Sequence, residues 1–312
     1  MRVFFATDIH GSETCWRKFL NCAPHYKADV VILGGDMTGK ALVPVVHDSG
    51  ESWHGTLQEQ RRDLAGEEEV SAFEQDVMRR GYYPFRTTPD ELSELERDEQ
   101  RLDGLFHELM LGTVERWMAM ADERLAAKGI KAFVCPGNDD QLEVDEILDA
   151  ARGVELAEGR VVEINGFQMA SSGWANITPW HTYREEPEDM LYERMMRAIS
   201  GISVAPEQVI LNLHCPPFGS GIDEAPGVNE DLTPKHGGHA PEPVGSTAVR
   251  RVIEEVEPAL SLHGHIHEAR GHTRIGKTLS INPGSSYEQG ELLGALIELD
   301  GSRVKNFILT SG

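Results

Sequence analysis

The chain opens with consecutive apolar positions rather than alternating ones. Val3 to Ala6 is such a run, and Asp29 to Leu33 is a second that ends at Gly34-Gly35-Asp36. Strands covered on both faces read this way. Between them, Ser12 is placed to cap a helix that runs to about Asn21. The result is a β-α-β unit with polar residues, Asp8-Ile9-His10 and Asp36, just past its strands. In open α/β sheets, ligands bind at those carboxyl ends.

The pattern changes from about Glu51 to Lys128. Acidic and basic clusters (Glu67-Glu68-Glu69 and Glu94 to Arg101) alternate with spaced apolar residues, broken once at Gly81-Tyr82-Tyr83-Pro84. Leu102, Leu105, Phe106, Leu109, Met110, Val114, Trp117 and Met118 follow helical spacing. The segment 51–128 is therefore read as a helical insertion in a single domain spanning 1–312. A solvated hairpin, a cap over a site and a dimer contact are its alternative roles. The stripe Met110, Trp117, Met118 reads as core.

Strand signals return at Ala132–Cys135, Val161–Ile164, Phe167–Ser171, Val209–Leu213 and Leu260–Leu262. Short strands close the chain at Thr273–Ile275, Thr278–Ile281, Leu293–Leu299 and Val304–Leu309. A Gly/Pro-rich loop lies between Phe218 and Gly245, and loops of that length are usually functional or disordered.

Composition narrows the class. With 29 basic and 52 acidic residues the formal charge is −23, a field that repels phosphate backbones and argues against avid nucleic-acid binding. No apolar run approaches the roughly 18–20 residues of a membrane span. Residues 1–8 make too short an apolar stretch for a signal peptide. Cys15, Cys22, Cys135 and Cys215 form no disulfide framework and no Cys-x-x-Cys. A cytoplasmic setting is expected, with homo-oligomer formation left open.

Each predicted strand end carries a potential metal ligand: Asp8 and His10, Asp36, Asn138-Asp139-Asp140, His214, and His265-Ile266-His267. Singly these are weak signals. Together, in order and each just past an apolar run, they can converge on one point, helped by glycines that let backbones approach closely. Alternation puts Asp8 and His10 on one side of an extended backbone, and likewise His265 and His267. Imidazoles, carboxylates and one amide suit Mn, Fe or Zn better than Ca or Mg. Asp36 could bridge two ions, as in two-metal hydrolytic sites.

Asp8-x-His10, Gly35-Asp36, Gly137-Asn138, His214 and Gly264-His265-x-His267 together resemble the calcineurin-like metallophosphoesterase superfamily. The resemblance spans residues 8 to 267. It implies a four-layer α/β/β/α sandwich and two divalent ions, Mn ahead of Fe, Zn or Ni. By position, one ion would be held by Asp8, His10, Asp36 and His267, and the other by Asp36, Asn138, His214 and His265. The implied reaction is hydrolysis of a phosphate ester, with a small-molecule substrate, by in-line attack of a hydroxide shared between the ions. Asp36, Asn138 and Asp139 are the implied catalytic positions.

One position departs from the common pattern, which places His directly after the motif Asn. Here Asp139 and then Asp140 follow. A carboxylate beside two cations is a poor acid, and general acid–base help is worth typically about 10²–10⁴-fold. Diesters or activated esters are therefore favoured over alkyl monoesters. Asp140 is expected to orient His10 or Asn138. His236 and His239 are candidates for a replacement acid, set against a reading as surface residues. Trp174 and Asn176 are candidates for substrate contact, with packing as the alternative for Trp174. Cys215 should point away from His214's side, and His263 and the Asn282-Pro283-Gly284-Ser285 turn read as structural. Three competing functions remain: a scaffold that keeps the fold without catalysis, a phosphomonoesterase, and a nuclease. A nuclease would need a basic groove, which the insertion does not supply.

Overall fold

The computed structural model describes residues 1–229, 233, 235, 240–301 and 303–312. Two six-stranded sheets face each other. The first runs, in spatial order, Arg303–Ser311, Leu293–Asp300, Arg2–Ala6, Val30–Leu33, Lys131–Val134, Glu155–Leu156. The second runs Gly271–Ile275, Thr278–Asn282, Leu260–Leu262, Val209–Leu213, Phe167–Ser172, Val161–Ile164. The central strands of each are parallel, with antiparallel neighbours such as Leu293–Asp300 against Arg2–Ala6.

The unbroken apolar runs have a direct cause, because successive side chains of a strand enter two different cores. Val3, Phe5, Val30 and Ile32 meet Ile164, Met169, Ile210 and Ile281 between the sheets. Their neighbours Phe4, Ala6, Val31 and Leu33 pack outward with Trp16, Phe19 and Trp117. On the opposite side, Leu211 and Leu213 pack with Leu191, Met195, Val249 and Ile253 of the helices Glu188–Ile199 and Thr247–Val256. Helix, sheet, sheet, helix is the expected four-layer order. Ser12 caps the first helix, Glu13–Tyr26, by accepting the Cys15 N–H. Trp117 stacks on Trp16 with ring centroids 5.1 Å apart, so the Met110–Trp117–Met118 stripe is core.

The insertion differs from its helical reading. Leu42–Ser49, Ser52–Leu57, Gln60–Ala65 and Tyr83–Thr87 form a four-stranded sheet, and only Gly66–Arg79, Pro89–Leu95 and Glu99–Arg124 are α-helical. The hairpin turn at Gln58-Glu59 carries neither Gly nor Asn, and both residues take positive φ (50° and 62°). The usual turn signal is thus missing. Charged residues on the exposed edge strand Gln60–Ala65 further mask it, as edge strands often do. Among the described residues, no helix is long and apolar enough to cross a membrane.

Candidate metal centre

The predicted ligands lie where five parallel strands end. Asp8 and His10 follow Arg2–Ala6, Asp36 follows Val30–Leu33, and Asn138 follows Lys131–Val134. His214 comes directly after Val209–Leu213, and His265 and His267 follow Leu260–Leu262. Asp8, His10, Asp36, Asn138 and His214 are buried, and His265 and His267 are half-buried. Ligand atoms of Asp8, His10 and His267 lie within 4.8 Å of one another, as do those of Asp36, His214 and His265; His10, Asp36 and Asp139 form a third such group.

Sharp turns allow this convergence. Asp8, His10, Asp36 and His265 have φ of 52°, 36°, 47° and 67°, a region that residues with a Cβ seldom enter. Glycines make the remaining room. A Cβ on Gly137 would stand 2.2 Å from Asp36 Oδ1, and one on Gly264 2.3 Å from Asp8 Oδ2.

The donor set fits divalent cations. His10 Nε2 faces His267 Nε2 at 3.0 Å, and His267 Nε2 lies 3.4 Å from Asp8 Oδ1. His214 Nε2 lies 3.3 Å from Asp36 Oδ2 and 3.8 Å from Asp8 Oδ1. The amide of Asn138 donates from its Nδ2 to Thr182 Oγ1 at 2.8 Å, and Thr182 in turn donates to Glu185 at 2.7 Å. That leaves Asn138 Oδ1 buried without a hydrogen-bond partner. A buried acceptor left open is costly, and a cation would satisfy it. Burial alone would raise Asp36, but neighbouring His214 outweighs it and holds the carboxyl well below the usual range. Burial would raise Asp8 too, yet hydrogen bonding to His267 and nearby imidazole charge lower it to about 2. His214 moves the other way: burial would lower it, but Asp36 raises it to about 9. Burial pushes His265 down to about 4, leaving a neutral imidazole. Two anionic carboxylates, imidazoles and an amide oxygen are donors for Mn, Fe or Zn.

The surroundings overturn the expectations for Asp140 and for substrate contact by Trp174, and agree with those for Cys215, His263 and the late turn. Asp140 does not hydrogen-bond the side chains of His10 or Asn138. It accepts the N–H groups of Met37, Thr38 and Gly137 and the Thr38 hydroxyl, so it fixes the loop after Asp36. Trp174 lies under the Arg194 guanidinium, whose carbon is 3.7 Å from the ring centroid, and it is not among the cleft's lining residues. Asn176 does line the cleft. Cys215 is buried and directs its thiol to Asn176 Oδ1 at 3.0 Å. His263 is held through Nδ1 by the Leu213 carbonyl at 2.7 Å. In the late turn, Asn282 holds the carbonyls of Gly264 and Ile266, and Ser285 donates to the Asp8 carbonyl at 2.6 Å. His236 and His239 lie outside the described residues.

Sequence reasoning missed Lys40. Its Nζ pairs with Asp139 Oδ2 at 2.5 Å, and both line the cleft beside Asp36 and Asn138. Its only signal is a cation four residues past Asp36 in an acidic chain. Asp139 itself is raised to about 6, first by burial and then by the charge of Asp36, against the pull of Lys40.

Solved structures that align over nearly the whole chain share its layered α/β fold. No family model matches the chain. An uncharacterised protein of Methanocaldococcus jannaschii is 26% identical over 157 residues, a match covering 49% of this chain and 64% of that protein. The match thus spans under two thirds of that relative. The solved structure of TT1561 from Thermus thermophilus covers 100% of this chain and 97% of its own at 14% identity, with a TM-score of 0.53, which is a likeness of fold. An archaeal phosphodiesterase structure aligns over 99% of this chain and 100% of its own at 11% identity with a TM-score of 0.36, too loose to carry its activity across.

Proposed function

We propose that this protein is a dinuclear metal-dependent phosphoesterase that prefers phosphodiesters. The observation that carries the reading is the meeting of Asp8, His10, Asp36, Asn138, His214, His265 and His267 from five strand ends, with Asn138 Oδ1 left open. Asp8, His10, Asp36 and His267 would hold one ion, and Asp36, Asn138, His214 and His265 the other. When bound, such ions supply Lewis acidity and a water acidic enough to act near neutral pH.

The chain's own residues supply placement. Thr182 and Glu185 fix the Asn138 amide so that its oxygen is left free for a cation. The Asp139 N–H fixes Asp36. Lys40 offers an ammonium at the cleft wall, where it would hold a non-bridging phosphoryl oxygen or the departing oxygen. No histidine follows Asn138, which favours esters whose leaving groups need little protonation.

Initial rates on bis(p-nitrophenyl) phosphate and p-nitrophenyl phosphate, with Mn²⁺-reconstituted protein, test this. Diester turnover well above monoester turnover is expected. Faster monoester turnover would overturn the diester preference. No turnover of either ester with two ions bound would favour the scaffold reading.

A further inference from the structure

The cleft in front of the ligand cluster has a volume of about 1190 Å³, beyond the about 300–1,000 Å³ of ordinary small-molecule sites. Its walls are unusual for a site that handles a charged ester. In the insertion's sheet, Val43 and Val45 point into a core with Phe73 and Val77 of the helix Gly66–Arg79. The alternate residues Leu42 and Pro44, with Phe85 paired beside Pro44, line the cleft. A sheet covered on one side normally turns polar residues to the other, yet here the paired strands Leu42–Ser49 and Tyr83–Thr87 put Leu42, Pro44 and Phe85 on that other face. Leu92 and Phe106 extend the same lining.

A loop supplies further apolar lining. Ile177, Trp180 and Tyr183 are 52%, 60% and 53% exposed, and all three line the cleft. Three large apolar side chains left in water on one short loop call for an occupant. The charge lining excludes a long polyanion, since Lys40 and Lys235 are accompanied by Glu96, Asp103, Glu242 and Glu268. One phosphate and one apolar body match this surface.

We infer that the cleft selects phosphodiesters carrying one bulky apolar substituent. The phosphate sits at the Asp36–Asn138 end, and the substituent lies along Leu42, Pro44, Phe85 and Trp180. The inference rests on the phosphoesterase reading above and specifies its substrate class.

The test uses methyl, butyl and octyl esters of p-nitrophenyl phosphate. In each, water adds its oxygen to phosphorus and the bond to the nitrophenyl oxygen breaks. Nitrophenolate leaves, and an alkyl phosphate and a proton are released. Only the retained alkyl group varies. From methyl to octyl, kcat/KM is expected to rise about 10²–10³-fold, mostly through KM, as methylenes leave water. Trp180→Ser and Phe85→Ser should each remove much of that gain while leaving the methyl ester within about 2-fold of wild type. Trp180 is exposed, so its truncation leaves the fold intact.

Calorimetric binding of methylphosphonate and octylphosphonate to the metal-loaded protein gives a readout without turnover. Hydrolysis of the methyl ester with a flat series, and octylphosphonate bound no more tightly than methylphosphonate, overturns the inference and leaves the phosphoesterase reading standing. Tight octylphosphonate binding lost in both variants, with no ester hydrolysed, supports the apolar site and overturns the hydrolase reading. A flat series with Trp180→Ser converting a dimer to monomer assigns the surface to a second copy, and this too overturns it.

Discussion

Asp36 Oδ1 accepts the backbone N–H of Asp139 at 2.9 Å, while Oδ2 lies 3.3 Å from His214 Nε2 and 3.7 Å from His10 Nε2. One carboxylate thus stands in contact with ligands assigned to both ions. Asp36→Asn is expected to reduce bound metal from two ions per chain and to lower diester turnover by about 10²–10³-fold. Elemental analysis beside initial rates checks it. A variant that keeps two ions and full activity would refute the bridging assignment.

Gly264 leaves no room for a side chain, since its Cβ would meet Thr7 Oγ1 at 2.2 Å and Asp8 Oδ2 at 2.3 Å. The Asp8 carboxylate is also held by the His265 N–H at 3.0 Å. Gly264→Ala should displace Asp8, weaken metal affinity by at least about 10-fold, and leave circular dichroism native. Unaltered affinity in a metal-competition titration would count against the packing argument.

Lys40 is the cleft cation paired with Asp139. Hydrogen bonds to charged groups are worth about 1.5–3 kcal/mol, so Lys40→Met should lower kcat/KM by roughly 10- to 100-fold. Lys40→Arg should restore part of it. Equal kinetics for Lys40→Met and wild type would remove Lys40 from substrate binding.

His263 is buried, and that burial pushes its pKa down to about 4 from an ordinary 6.5. Between those values the unfolded chain takes up a proton that the folded one refuses. Stability therefore falls as pH drops through 6.5 toward 4, by up to about 3 kcal/mol. Urea denaturation at pH 7 and pH 4.5 should show a shallower loss for His263→Gln than for wild type. Equal losses would mean that other groups account for the acid sensitivity.

The motifs were legible because chemistry and fold coincide at them. Runs such as Val30–Leu33 are apolar throughout since both faces are covered, and the first polar residue after each run marks a strand end. The insertion was less legible. Leu42–Ser49 starts shortly after Asp36, and its apolar residues alternate between a small core and the cleft, so no single face dominates the pattern. Thr182, Glu185 and Lys40 were invisible for a different reason. Their roles arise from tertiary contacts with Asn138 and Asp139, and nothing in their local spacing sets them apart.

The left-handed backbone at Asp8, His10, Asp36 and His265 has a thermodynamic consequence. Each such residue opposes folding by roughly 1 kcal/mol or more. These side chains are therefore placed on backbone that the chain alone pays to hold. Ions that bind only the folded form would stabilise it in proportion to the logarithm of their free concentration. Metal supply would then set how long the protein persists as well as how fast it works.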